Sequence, residues 1–242
     1  MIQVRSVICL ALMFVITLLF ALPLAVFGRF LSAPVQRRMA AYWASGCLWA
    51  LNAVCGLRYR VTGEGNFPTE ASVVMCKHQS AWETIALRLI VPGDQVWVLK
   101  QELLRVPVFG GALRCFNPIA VDRKAGRKAA RQLLEQGKSA LDAGRSVIIF
   151  PEGTRVASGE HKDYGVGGAM LAEHARRPVV PIAHNAGVFW PRRSLAKYPG
   201  VIDVVVGPVI LTEGKRALEI NREVEHWIET TVAALPTDRS AT

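Results

Sequence analysis

The sequence predicts an α/β domain carried behind an apolar, helical N-terminal anchor. Three observations predict it. From Arg58 onward, short apolar runs rich in β-branched residues alternate with amphipathic stretches, the pattern of strands and helices around a buried sheet. Before that point, Val7 to Phe27 contains no charged residue. The 242 residues suffice for one well-buried domain plus an appendage.

The N-terminal elements come first. Val7–Phe27 is roughly 20 residues long, enough to cross a hydrocarbon core as a helix. Arg5 precedes it; Arg29, Arg37 and Arg38 follow. A second uncharged stretch, Met39 to Leu57, carries Tyr42, Trp43 and Trp49, residues that favour the membrane interface. Two arrangements fit. The first stretch spans the bilayer with the basic cluster in the cytoplasm, or both form a hairpin dipping into one leaflet, with bends at Pro23 and Pro34. A cleaved signal peptide fits poorly: the n-region is thin, the apolar run too long, and no clear small-x-small site follows.

In the remaining chain, strands are expected at Arg58–Thr62, Ser72–Cys76, Gln95–Leu99, Pro118–Val121, Ser146–Phe150, Val179–Ala183 and Val201–Val206. Helices are expected at Ala81–Ile90, Gly126–Ala143, Gly168–Ala175 and Lys215–Ala234. In the second of these, Ala129, Leu133, Leu134, Gly137 and Leu141 recur at helical spacing while Arg127, Arg131, Glu135 and Lys138 face away. Gly144 stands where a helix-ending glycine belongs. The organisation is therefore an anchor over 1–57, a domain over 58–235 and a disordered tail over 236–242.

Composition narrows the function classes. The net charge is +10, and basic residues are spread over Arg123-Lys124, Arg127-Lys128, Arg131, Arg176-Arg177, Arg192-Arg193 and Lys197. Most are solvated surface, but together they draw the chain to anionic membrane lipid. No recognition motif accompanies the charge, so nucleic acid is not an expected partner. The five cysteines are odd in number and lack metal-ligand spacing, which argues against a disulfide framework and for a reducing, cytosolic environment.

Two segments carry the chemistry. His78 follows a strand, where α/β proteins place their sites. On one continuous helix His78 and Glu83 would be about 140° apart and would not meet. They meet if His78 lies in the loop and the helix begins after it, with Ser80 as its N-cap and Glu83 at the N3 position. The same residues also read as a capping box, Ser80-Ala81-Trp82-Glu83, in which Glu83 only accepts the Ser80 backbone N–H. Both readings stand. The second segment, Phe150-Pro151-Glu152-Gly153-Thr154-Arg155, leaves an apolar strand. Gly153 allows a sharp turn, and Arg155 can grip a phosphate with paired hydrogen bonds. Glu152 can accept from a substrate hydroxyl or hold the arginine. Lys100 follows another strand as a second cation. Asp122 and Arg123 close a fourth; they pair with each other, or Arg123 enters the same site.

In this order, the blocks resemble those of the 1-acyl-sn-glycerol-3-phosphate acyltransferases of the glycerolipid acyltransferase superfamily. The resemblance runs from about Gly63 to Val209. His78 to Glu83 looks like the family's H-x-x-x-x-D, and Lys100, Glu102, Leu103, Pro107, Phe109 and Gly110 its lysine-led block. Asp122-Arg123, Phe150 to Arg155 and Val180-Pro181-Ile182 match the remaining blocks. One departure is Glu83, where the family usually has Asp; the extra methylene demands a different rotamer.

The resemblance implies a glycerolipid-acyltransferase-like sheet flanked by helices, on the cytoplasmic side of the cell's inner membrane. It also implies acyl transfer from acyl-carrier protein or acyl-CoA to the sn-2 hydroxyl of lysophosphatidate, without metal or cofactor. His78 would be the general base and Glu83 its partner; Lys100, Arg123, Glu152, Gly153, Thr154 and Arg155 would bind the phosphorylated substrate. The alternatives are another acceptor, such as glycerol 3-phosphate or a different lysolipid, and a non-catalytic membrane protein that binds lipid or carrier protein.

Overall fold

The computed structural model describes residues 1–122 and 125–239. The chain opens with two long helices, α1 (Ile2–Phe27) and α2 (Ala33–Cys55), joined by a 3-10 turn at Gly28–Phe30. Pro23 does not end the first helix: α1 runs through it to Phe27. Pro34 lies in the first turn of α2, where a missing N–H costs nothing. Gln36 closes the turn by donating to the carbonyls of Gly28 and Leu31.

The two helices differ in burial. α1 is long and apolar enough to cross a membrane, yet Phe14, Val15, Leu19 and Phe27 are exposed. α2 is sandwiched: Ala44, Cys47, Leu48 and Leu51 join the domain core. Trp43 of the same helix donates to Thr17 of α1 at 3.0 Å. The hairpin is therefore part of the domain's packing.

The sheet has seven strands, each at an expected position: β1 (Leu57–Thr62), β2 (Val73–Cys76), β3 (Asp94–Lys100), β4 (Ile119–Val121), β5 (Arg145–Ile149), β6 (Val179–His184) and β7 (Gly200–Val206). Their spatial order is β1-β7-β6-β2-β5-β3-β4. The strands from β6 to β4 run parallel; β7 is antiparallel to β6, and β1 is parallel to β7. The sheet is thus mixed.

Both faces are covered, by residues of alternating direction. Val74, Cys76, Ile148 and Ile182 face α2 and α3 (Glu83–Ile90). Val73, Met75, Val147 and Ile149 face the other layer, α5 (Arg127–Asp142), α6 (Gly167–Ala175) and α8 (Ala217–Ala234). Gly137 is required there: a Cβ on it would lie 2.6 Å from the Leu171 side chain, so α5 and α6 approach at this point. Gly144, directly after α5, has φ +76° and ends the helix as its position suggested.

The described residues also include two short α-helices, α4 (Phe109–Arg114) and α7 (Ala186–Phe189). α4 packs under α1, Ala112 against Ala21 and Leu24. The segment read as a disordered tail makes contacts as far as it is described: Pro236 accepts from Asn185, and Arg239 donates to Val188 at 2.8 Å and covers the Tyr198 ring. All five cysteines are free. The carboxyl ends of the five parallel strands lie along one edge, and those of β2 and β5, which are neighbours, deliver the two motif segments.

Candidate active site

His78 lies two residues past the end of β2, directly after Lys77, whose N–H donates to Ile182 O of β6 at 3.0 Å. Its backbone is held on both sides: its N–H donates to Glu152 Oε1 at 3.2 Å, and its carbonyl accepts from Val156 at 2.7 Å. Its ring stacks on Phe150, with centroids 4.1 Å apart and planes 17° apart. Backbone and ring are both constrained before any substrate arrives.

The helix after it starts at Glu83, two residues later than the expected Ala81. Glu83 is fully buried, and its Oε1 lies 2.8 Å from His78 Nδ1. That same oxygen accepts the N–H groups of Gln79, at 2.9 Å, and Ser80, at 2.7 Å. The orienting and capping readings therefore coexist on one atom. Glu83 thus reaches the imidazole despite its extra methylene.

Burial alone would push the Glu83 carboxyl up, but His184, His78 and the Ser80 N–H outweigh it and hold it below the usual glutamate range. An ionised carboxylate only accepts, so Nδ1 of His78 carries the proton and Nε2 offers its lone pair. His78 side-chain exposure is 14%, enough to reach a ligand.

His78 lines a cavity of about 500 Å³. Lys100, Gly153, Thr154 and Arg155 line it too. Gly153 has φ +67° and donates to Phe150 O at 3.0 Å, the tight turn that needs a glycine and brings Arg155 to the cavity. The opposite wall is apolar and comes from the N-terminal hairpin and α4, through Phe20, Leu24, Trp43 and Leu113 among others. Arg88 lines it as well, between the Trp97 and Phe116 rings. Burial and the neighbouring Arg145 pull its pKa down to about 10.

One expected site residue falls elsewhere. Glu152 does not meet Arg155: it turns away from the cavity, 2% exposed, toward Lys77 Nζ at 3.4 Å and the His78 N–H. The Phe150–Gly153 turn sends residues 152 and 155 to opposite sides. Burial pushes the Glu152 carboxyl up, and Lys77 opposes that shift. Arg123 lies outside the described residues.

Sequence reasoning missed a layer behind His78. Lys77 is completely buried, and its Nζ bonds Glu229 of α8 at 2.7 Å; Tyr164 donates to the same carboxylate at 2.6 Å. His184, at the end of β6, donates from Nε2 to Lys77 O at 2.8 Å and stands 4.0 Å from Glu83 Oε2. The available signals were small: alternation points Lys77 away from His78, and His184 ends a parallel strand at the same edge. Arg192 and Arg193, read as solvated surface, also line the cavity.

A cavity with a held imidazole, several cationic side chains and an apolar wall suits proton removal from an alcohol that carries both an anionic group and a long chain. Residues 58–185 match the family model described as Acyltransferase. A 1-acyl-sn-glycerol-3-phosphate acyltransferase from Pseudomonas aeruginosa is 44% identical over 216 residues, 85% of this chain and 83% of that one. The human 1-acyl-sn-glycerol-3-phosphate acyltransferase alpha is 32% identical over 161 residues, 66% of this chain and 57% of that one. In fold, the chain resembles the crystal structure of the 1-acyl-sn-glycerophosphate acyltransferase PlsC from Thermotoga maritima. The TM-score is 0.79 over 97% of both chains, at 21% identity. With related sequence along most of its length and a shared fold along nearly all of it, the chain belongs to the 1-acyl-sn-glycerol-3-phosphate acyltransferase family and is an acyltransferase.

Proposed function

We propose that this enzyme moves a fatty acyl group from a thioester, on acyl-carrier protein or coenzyme A, to the sn-2 hydroxyl of 1-acyl-glycerol 3-phosphate, giving phosphatidate. The observation that carries the proposal is the shared cavity. It is lined by His78, whose Nδ1 is committed to Glu83, by Arg155 and Lys100, and by an apolar wall. The names of the relatives support the acceptor.

In this reading Nε2 of His78 takes the proton of the sn-2 hydroxyl as that oxygen attacks the thioester carbonyl carbon. Glu83 stabilises the imidazolium that forms. The tetrahedral intermediate collapses with rupture of the C–S bond, and the imidazolium returns its proton to the departing thiolate. The products are an ester and a free thiol. No acyl-enzyme is needed, because the acceptor is the nucleophile. Arg155 and Lys100 hold the phosphate, and the Gly153-Thr154 turn shapes the cavity beside them. Glu152 acts from behind, through the His78 backbone.

The exposed apolar side of α1 supports insertion in the inner membrane, and the basic residues after it support a cytoplasmic domain. The test is thiol release by wild type and His78→Ala with three acceptors: lysophosphatidate, glycerol 3-phosphate and a lysolipid without a phosphate monoester. We expect the lysophosphatidate rate to be highest and to depend on His78. Faster turnover of the phosphate-free lysolipid, or undiminished activity of H78A, refutes the proposal.

A further inference from the structure

The cavity carries more positive charge than lysophosphatidate can neutralise. Arg88, Lys100, Arg155, Arg192 and Arg193 line it, and among the described residues no Asp or Glu does. A phosphate monoester brings a charge of about −2 at most. Arg88 is held between two aromatic rings, each 4.9 Å from its guanidinium. Lys100 and Arg155 match the acceptor phosphate. Arg192 and Arg193 are then left without a counter-ion, and neither makes an ion pair among the described residues.

They also occupy an element of their own. Ser194 N–H donates to Pro191 O at 3.2 Å, closing a four-residue turn with the two arginines at its centre. Arg193 has φ +58°, a conformation that glycine holds without penalty and residues with a Cβ resist. The turn is braced nonetheless. Trp190 Nε1 donates to Ser194 O at 3.3 Å, Ser194 Oγ accepts from Ala196 N–H at 3.1 Å, and Lys197 N–H donates to Ser6 Oγ of α1 at 2.9 Å. A strained, braced turn carrying two uncompensated guanidinium groups onto a reaction cavity is arranged for an anion.

We infer that Arg192 and Arg193 form an anion site for the phosphate esters of the thioester donor, distinct from the acceptor phosphate site. The inference rests on the acyl-transfer reading above. Acyl-carrier protein and coenzyme A both present the acyl thioester on a phosphopantetheine arm, so either donor brings phosphate with it. Guanidinium forks match phosphate oxygens, and the donor must enter the cavity that His78 lines.

The test compares acyl-coenzyme A with the same acyl group on N-acetylcysteamine, a thioester without phosphate. It uses the full-length enzyme, lysophosphatidate as acceptor, and two variants: R192A/R193A, and R193G, which keeps the turn. The expected result for R192A/R193A is a KM for acyl-coenzyme A raised roughly 10- to 100-fold, with a smaller rise for R193G. Turnover of the phosphate-free thioester and KM for lysophosphatidate should change less than about twofold. Binding of free coenzyme A, measured calorimetrically, should weaken by the same factor, while binding of pantetheine should not change. Equal losses on both donors, a rise confined to the lysophosphatidate KM, or unchanged coenzyme A binding would each overturn the inference. If acyl transfer itself fails in wild type, the acyl-transfer reading falls, while coenzyme A binding still reports on the arginine pair.

Discussion

Oε1 of Glu83 lies 2.8 Å from Nδ1 of His78 while accepting the backbone N–H groups of Gln79 and Ser80. A single carboxylate oxygen therefore orients the imidazole and fixes the chain between β2 and α3. Glu83→Gln should lower kcat by roughly 10²–10⁴-fold, because an amide can donate to Nδ1 and stabilise the wrong tautomer. Glu83→Asp keeps the charge and should lose less. Steady-state thiol release, with a melting curve for each variant, checks both; equal turnover by Glu83→Gln and wild type would refute the orienting role.

Arg155 and Lys100 line the cavity together. Arg155→Ala should raise the KM for lysophosphatidate roughly 10- to 100-fold, as expected for lost charge-assisted hydrogen bonds, and Arg155→Lys should recover only part of it. Acceptor titrations at saturating donor measure the effect.

Lys77 is a buried cation between two carboxylates, Glu152 and Glu229. Lys77→Met leaves both without their cation and should cost about 3–5 kcal/mol of stability. Adding Glu229→Gln should return part of that loss. Denaturant unfolding in detergent checks the pair, and additive effects would show that the residues are not coupled.

His184 is held below the ordinary imidazole range, chiefly by burial, with Glu83 opposing the shift. The unfolded chain therefore takes up this proton before the folded one does. Stability should fall as pH drops below about 6.5, by up to roughly 1.4 kcal/mol per pH unit. The depressed Glu83 carboxyl adds a loss in the same direction, at lower pH. His184→Gln should flatten the slope below about pH 6.5, measured as unfolding free energy at a series of pH values.

Much of this was readable from residue order. All seven strands and four of the later helices announce themselves, because alternation and helical spacing record which side of each segment is buried. α4 and α7 do not: Phe109-Gly110-Gly111-Ala112 and Ala186-Gly187-Val188-Phe189 are too short to show a period. The lysine and arginine beside His78 were legible because their motifs leave neighbouring parallel strands. Glu152 was not, since the direction of its side chain is decided by the turn at Gly153 and by Lys77. The apolar wall was equally hidden, because helix hydrophobicity alone does not separate outward-facing from cavity-facing residues such as Phe20 and Trp43.

That wall makes the first helix hard to dispense with. Phe20 and Leu24 of α1 close the reaction cavity opposite His78 and Arg155. A shortened version lacking α1 would lose one side of this cavity. Work that needs a detergent-free catalyst should therefore replace the exposed side chains of α1, Phe14, Val15 and Leu19 among them, and leave the helix in place.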